Sequence, residues 1–169
     1  IVKHINQLSI MGFTEVIKNL SVIKRNLNFC KNDIISFNPD AIILIDFPGF
    51  NLKIAKFAKE KGIKVFYYIS PKVWAWKKSR IKQIRKNVDK MFVILPFEEE
   101  MYREAGVDAE FLGHPFIEMV HPTRTREESL VKFSLDSNIK IVGLLPGSRM
   151  NEVTSLLEEM LRAAEKIKK

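Results

Sequence analysis

Hydrophobic positions along this chain switch repeatedly between helical spacing and short continuous runs. From Phe13 to Ile34 the apolar positions 13, 16, 17, 20, 23, 27, 30 and 34 follow one helical stripe. Asn38-Pro39-Asp40 ends it, because Pro39 disfavours the α region at Asn38. Ala41–Ile45 follows as an unbroken apolar run, the pattern of a strand buried on both faces. It stops at Asp46, and the loop Phe47-Pro48-Gly49-Phe50 leads to Asn51. That residue can cap a helix reaching to about Lys61, with Gly62 at its exit.

The alternation continues. Ile63–Ile69 reads as a strand broken by Ser70-Pro71, and residues from Lys77 to Val88 as a basic helix with Ile81, Ile84 and Val88 inward. Met91–Leu95 is a short strand stopped by Pro96. Glu98–Ala105 is a helix closed by Gly106, and Ala109–Leu112 a strand ending in Gly113-His114-Pro115. Residues 116–136 are polar and aperiodic around His121-Pro122-Thr123 and read as a linker with a helical turn. Ile139–Leu145 is again strand-like. Pro146-Gly147-Ser148-Arg149 then opens a helix with Val153, Leu156, Leu157, Met160, Leu161, Ala164 and Ile167 on one stripe.

Strands alternating with helices predict right-handed βαβ units and an α/β fold with a parallel sheet. The boundaries follow: residues 1–115 form part of one domain, 116–136 a linker, and 137–169 the first strand and helix of a second. One strand and one helix cannot bury a core, so the pattern predicts a piece of a longer protein.

Composition narrows the class. The chain has 169 residues, 46% hydrophobic and 28% charged, which excludes disordered and collagen-like sequences. No apolar run approaches the roughly 20 residues that span a bilayer. The single cysteine, Cys30, excludes an internal disulfide and fits a reducing cytoplasm. The net charge of +8 is concentrated: residues 72–90 hold eight basic residues against one acid, Asp89. Such a segment suits an anionic partner, whether phosphate, anionic lipid or nucleic acid; equally, it suits a solvated helix face.

Ligands of open parallel sheets bind beyond the carboxyl ends of the strands. That rule selects Asp46, Ser70, Trp74, Trp76, Phe97, Glu98, His114, Ser148 and Arg149. Asp46 ends an apolar strand, where a carboxylate costs desolvation energy unless it has a task; partly buried, it suits a general base, and otherwise it caps the next helix. Pro146-Gly147-Ser148-Arg149 brings backbone N–H groups, a hydroxyl and a guanidinium to a helix start, a phosphate cradle or an ordinary Pro-Gly turn. It matches neither a Walker A loop nor the Gly-x-Gly-x-x-Gly fingerprint, which disfavours a dinucleotide oxidoreductase. Trp74 and Trp76 flank Ala75, so in an extended loop they form an aromatic wall for a sugar, a base or a membrane interface, or pack into the core. His114 is a candidate donor without a visible partner. No spacing matches a metal site, and no cofactor is expected. The Phe13–Ile34 stripe faces the core or, with Lys18, Lys24, Arg25 and Lys31 on its polar side, lies on an anionic membrane.

In order, Met11-Gly12-Phe13-Thr14-Glu15-Val16, Ile45-Asp46-Phe47-Pro48-Gly49-Phe50-Asn51-Leu52, Tyr68-Ile69-Ser70-Pro71-Lys72-Val73-Trp74-Ala75-Trp76, Leu95-Pro96-Phe97-Glu98, Phe111-Leu112-Gly113-His114-Pro115 and Leu144-Leu145-Pro146-Gly147-Ser148-Arg149 closely resemble the lipid-A-disaccharide synthases. These are bacterial glycosyltransferases, and the likeness covers nearly the whole chain. It implies two Rossmann-like domains facing across a cleft in the GT-B manner, of which this chain is about the middle half. The implied reaction joins UDP-2,3-diacylglucosamine to 2,3-diacylglucosamine 1-phosphate and releases UDP, with inversion and without a metal. The implied place is the cytoplasmic face of the inner membrane, against its anionic surface, and a homodimer of the full-length form is compatible with it.

The resemblance makes Asp46 and Arg149 the catalytic pair and Asn51, Ser70, Trp74, Trp76, His114 and Ser148 substrate-binding residues. The family's Asp-x-Pro-Asp-Phe-Asn pattern carries Gly49 here in place of its second aspartate. The alternative from another class is a nucleic-acid-binding module built on the 72–90 segment, without an accompanying motif.

Overall fold

Four parallel strands form one sheet in the order β1-β2-β3-β4: β1 (Ala41–Ile45), β2 (Lys64–Tyr68), β3 (Lys90–Val93) and β4 (Ala109–Phe111). The computed structural model describes residues 20–73, 79–138 and 140–167. They fall into two units, one reaching Val120 and the other beginning at His121.

In the first unit α1 (Leu20–Phe37) precedes the sheet, and α2 (Pro48–Glu60), α3 (Ser79–Asn87) and α4 (Pro96–Glu104) connect successive strands. A short α5 (Phe116–Met119) follows β4. Positions 13–19 of the sequence-predicted first helix lie outside the described residues, as do Lys77 and Lys78 of the third. Helix α1 outlasts its stripe by one turn and stops where Asn38 turns left-handed, at φ 48°. Helix α2 starts at Pro48 rather than Asn51. Proline at the first helical position is pre-set for helix and lacks the N–H that would go unsatisfied there. Pro96 does the same for α4, which two residues separate from the end of β3.

Strands placed in sequential order with right-handed crossovers put all their connecting helices on one face. The burial pattern agrees. Register aligns Leu44, Tyr67, Met91 and Ala109 on the covered face, and all four are buried. Under them lie Ile54, Ala55 and Ala58 of α2, Ile84 of α3 and Tyr102 of α4. The opposite face carries Ile43, Ile45, Phe66, Tyr68 and Phe92, with Phe66 and Phe92 stacked at 6.2 Å. Ile43 is 68% exposed and Ile45 56%. The expectation that β1 is buried on both faces is therefore not met within the described residues, because no crossover helix reaches that side.

The second unit holds α6 (Arg126–Lys132) and α7 (Met150–Ile167). The segment expected to be a linker with a helical turn contains α6, opened by a capping box in which Thr125 and Glu128 satisfy each other's backbone N–H groups. Residues 140–147 form no strand, and Ile141, Val142 and Leu145 stand exposed. An apolar run becomes a strand only against a neighbour that takes up its N–H and C=O groups, and no described residue offers one.

Asp89 ties the layers together. Its carboxylate accepts from Lys59 at the end of α2 and from the Val65 N–H of β2 at 2.8 Å. The Lys59 hydrogen bond, then that of Val65, holds the acid below its ordinary value of 3.8 against the opposing effect of burial. A depressed carboxylate stabilises the fold above its unfolded-state pKa and loses that contribution as pH falls through the folded one. Asp89→Ala should lower stability at neutral pH by about 1–3 kcal/mol, the range for hydrogen bonds to a charged group. In urea melts the gap to wild type should narrow as pH drops below 3.8.

Candidate active site

Both β1 and β2 end in a backbone conformation that L-residues avoid. Asp46 and Phe47 have φ of 47° and 46°, and Ile69 has φ of 62°. A β-branched residue there is an outlier, and each such residue costs about 1–3 kcal/mol unless its surroundings hold it. The ladder persists into the turns: the Asp46 N–H donates to the Tyr68 carbonyl at 2.9 Å, and the Ile69 N–H to the Phe92 carbonyl at 3.1 Å. The Asp46 carbonyl accepts twice, from the Tyr67 hydroxyl at 2.6 Å and the Asn51 side-chain amide at 2.8 Å. Asn51 also donates to the Ile45 carbonyl at 3.0 Å. Its amide nitrogen thus holds the loop that presents Asp46.

The two turns border a cavity of about 490 Å³, lined by Asp46, Pro48, Ile69, Ser70, Pro71, Lys72, Arg80, Ile94, Leu95 and Glu98. Asp46 is exposed, so the partial burial expected of it is not found; the turn after β1 lifts its carboxylate out of the sheet. It does not cap α2, which has no side-chain cap. Ser70 is buried, and its hydroxyl has no hydrogen-bond partner among the described residues. Glu98 lines the cavity at 2% exposure. Tyr102 packs beside it and donates to the Pro71 carbonyl at 3.1 Å, anchoring α4 to the loop after β2. Burial pushes the phenols of Tyr67 and Tyr102 far above their ordinary value, so both keep the proton with which they donate.

The remaining sequence-predicted residues lie elsewhere. Trp74 and Trp76 fall outside the described residues. His114 does not line this cavity; its Nδ1 accepts the Phe116 N–H at 3.2 Å and its ring rests on Phe116, shaping the turn into α5. In the second unit the expected phosphate cradle already holds an anion. Glu152 accepts from the backbone N–H groups of Ser148 and Arg149, both at 3.2 Å, and pairs with the Arg149 guanidinium at 3.0 Å. These contacts keep the Glu152 carboxyl below its usual range. A Cβ on Gly147, at φ 118°, would stand 2.5 Å from that carboxylate, so the turn needs glycine twice over.

Sequence reasoning missed Tyr67 and Arg80. Tyr67 looks like any core position of an apolar strand, and Arg80 is hidden within a charge run. A second cavity, about 720 Å³, runs between α2 and α3 and is lined by Lys53, Lys56, Lys59, Arg80, Lys82 and Lys86 with the acid Glu60. Pro48 and Arg80 line both cavities.

Two carboxylates, two cations and a buried hydroxyl gathered at the carboxyl ends of parallel strands define an α/β domain with a candidate ligand crevice where parallel sheets place theirs. The family described as lipid-A-disaccharide synthetase matches residues 1–169, and the chain belongs to it. Proteins named lipid-A-disaccharide synthase are 50% identical over 157 residues in Syntrophus aciditrophicus, 46% over 157 in Trichlorobacter lovleyi and 42% over 163 in Geobacter sulfurreducens. The matches cover 93%, 93% and 96% of this chain but 41%, 41% and 42% of those relatives. The chain therefore spans about two fifths of their length.

Gly49, at the position of the pattern's second aspartate, has open space around its Cα and no positive φ. It sits in the first turn of α2, which contains no acid. Gly49→Asp should therefore fit without strain and stabilise the helix by about 0.3–1 kcal/mol, through the favourable interaction of a negative charge with its N-terminus. A thermal melt against wild type checks this; a lowered melting temperature would contradict the open geometry.

Proposed function

We propose that the complete protein carrying this segment joins two acylated glucosamine units, transferring diacylglucosamine from its UDP conjugate to diacylglucosamine 1-phosphate in lipid A biosynthesis. The match of the entire chain to the family carries this reading. Asp46, exposed at the cavity beyond β1, is the general base that takes the proton of an acceptor hydroxyl. The oxygen then attacks the anomeric carbon of the donor sugar, the bond to the diphosphate breaks, and UDP leaves with inverted stereochemistry at the new linkage. Arg149 meets the charge that develops on the leaving diphosphate, and Ser148 supports it.

The arrangement around Arg149 adds a condition. Its guanidinium and the two backbone N–H groups now serve Glu152, so the diphosphate must displace or share that carboxylate. An exposed pair of this kind is screened by water and weak, so a doubly charged diphosphate can displace it. Ser70 contributes a hydroxyl to acceptor binding, while Trp74, Trp76 and His114 complete the substrate contacts. The reaction needs no metal or cofactor in this reading.

Among the described residues no helix is long and apolar enough to cross a membrane. The acylated substrates and the basic groove between α2 and α3 favour peripheral attachment to the anionic cytoplasmic face of the inner membrane. The nucleic-acid alternative is set aside, since the family accounts for the chain from end to end.

In the complete protein, Asp46→Asn should lower the rate of disaccharide formation by roughly 10²–10⁴-fold, the range for losing a general base. Turnover within a few-fold of wild type would take Asp46 out of that role. Lysine cannot reproduce the bidentate fork of arginine. Arg149→Lys should therefore cut turnover by on the order of 10²-fold with little change in melting temperature, as for one lost oxyanion-type donor. Near-normal turnover with a lowered melting temperature would make Arg149 structural.

A further inference from the structure

Resting on the glycosyl-transfer reading, we propose that Arg80, aided by Lys72, is the phosphate anchor that makes the Asp46 cavity specific for a phosphorylated acceptor sugar. Three observations lead there. First, the charged groups that line that cavity are two cations, Arg80 and Lys72, the exposed carboxylate of Asp46 and the buried one of Glu98. Neither Arg80 nor Lys72 forms an ion pair among the described residues. Half-buried guanidinium left without a counter-ion at a cavity wall is ready for an anionic ligand.

Second, Arg80 and Asp46 act on the same group. Tyr67, whose hydroxyl holds the Asp46 carbonyl, feels the Asp46 charge disfavouring its ionisation and the Arg80 charge favouring it. Both charges lie within electrostatic reach of one phenol and both residues line the same cavity, so one ligand there can meet a carboxylate and a guanidinium together. A volume near 490 Å³ lies within the roughly 300–1,000 Å³ of small-ligand sites.

Third, Arg80 stands where the reaction cavity meets the groove between α2 and α3. That groove carries five lysines, of which Lys53, Lys82 and Lys86 form no ion pair among the described residues, and their field draws anions toward the residue that opens onto both cavities. A planar fork at such a junction can hold two phosphate oxygens at once, whereas the lysines behind it act as point charges. The same chemistry would suit the donor diphosphate, but the cavity that Arg80 shares with the general base must receive the acceptor.

The test uses the complete protein, wild type and as Arg80→Gln and Arg80→Lys, with diacylglucosamine 1-phosphate and its dephosphorylated counterpart as acceptors. Wild type should prefer the phosphorylated acceptor. Arg80→Gln should lower its kcat/KM by roughly 10–100-fold, mainly through KM, so that the ratio between the two acceptors collapses toward one; this corresponds to losing a hydrogen bond to a charged group. Arg80→Lys should restore part of the ratio. Equal losses on both acceptors, a raised KM for the UDP donor instead, or an unchanged ratio would each overturn the proposal. A binding arm keeps it separate from the reaction itself: ³¹P line broadening of glucosamine 1-phosphate should be strong with wild type and weak with Arg80→Gln. If wild type makes no disaccharide yet shows this Arg80-dependent broadening, the anchor stands and the transfer reading falls. Without broadening by wild type, the anchor falls.

Discussion

The handedness of the crossovers governs this structure. Each strand enters the sheet beside its predecessor, always in the same direction, so every connecting helix lands on one face and every strand ends at one edge. The first consequence is the core: Leu44, Tyr67, Met91 and Ala109 share a layer with α2, α3 and α4 beneath them. The second is the site. Residues far apart in the chain, from Asp46 to Glu98, meet because their strands stop together. The third is the uncovered face, where Ile43 and Ile45 stand exposed beside the stacked Phe66 and Phe92.

Strain at the carboxyl edge is held by hydrogen bonds that the core supplies. Asp46 and Ile69 occupy left-handed conformations directly after their strands. Tyr67 comes from inside the covered layer, and Asn51 from the first turn of α2; together they saturate the Asp46 carbonyl. These bonds fix the backbone that carries the exposed Asp46 side chain, the positioning that the proposed general base requires.

Electrostatic organisation differs between the two units. In the first, cations outnumber acids along a continuous surface, from the groove between α2 and α3 to Arg80 and Lys72. In the second, Glu152 takes up Arg149, and Glu158 and Glu159 take up Arg162.

Much of this was readable from local pattern, because local chemistry decides it. Apolar runs of strand length, prolines at strand ends and glycines after helices predicted β1 to β4 and α1 to α4 to within a few residues, since turn chemistry and periodicity act on neighbours in the chain. The rule that ligands lie beyond parallel strand ends also picked out Asp46, Ser70 and Glu98, which the structure brings to one cavity. What the pattern could not reveal depends on neighbours in space. Residues 140–147 have the composition of a strand but no described partner to pair with. Tyr67 reads as a core residue until its hydroxyl is seen on Asp46, and Asn51 reads as a cap until Pro48 is seen to start the helix. Arg80 is one cation among eight in its segment, and only the packing of α3 beside α2 sets it between two cavities. Composition and spacing determine which elements form; which side chain reaches which cavity is decided by register and crossover hand, neither of which is written at any single position.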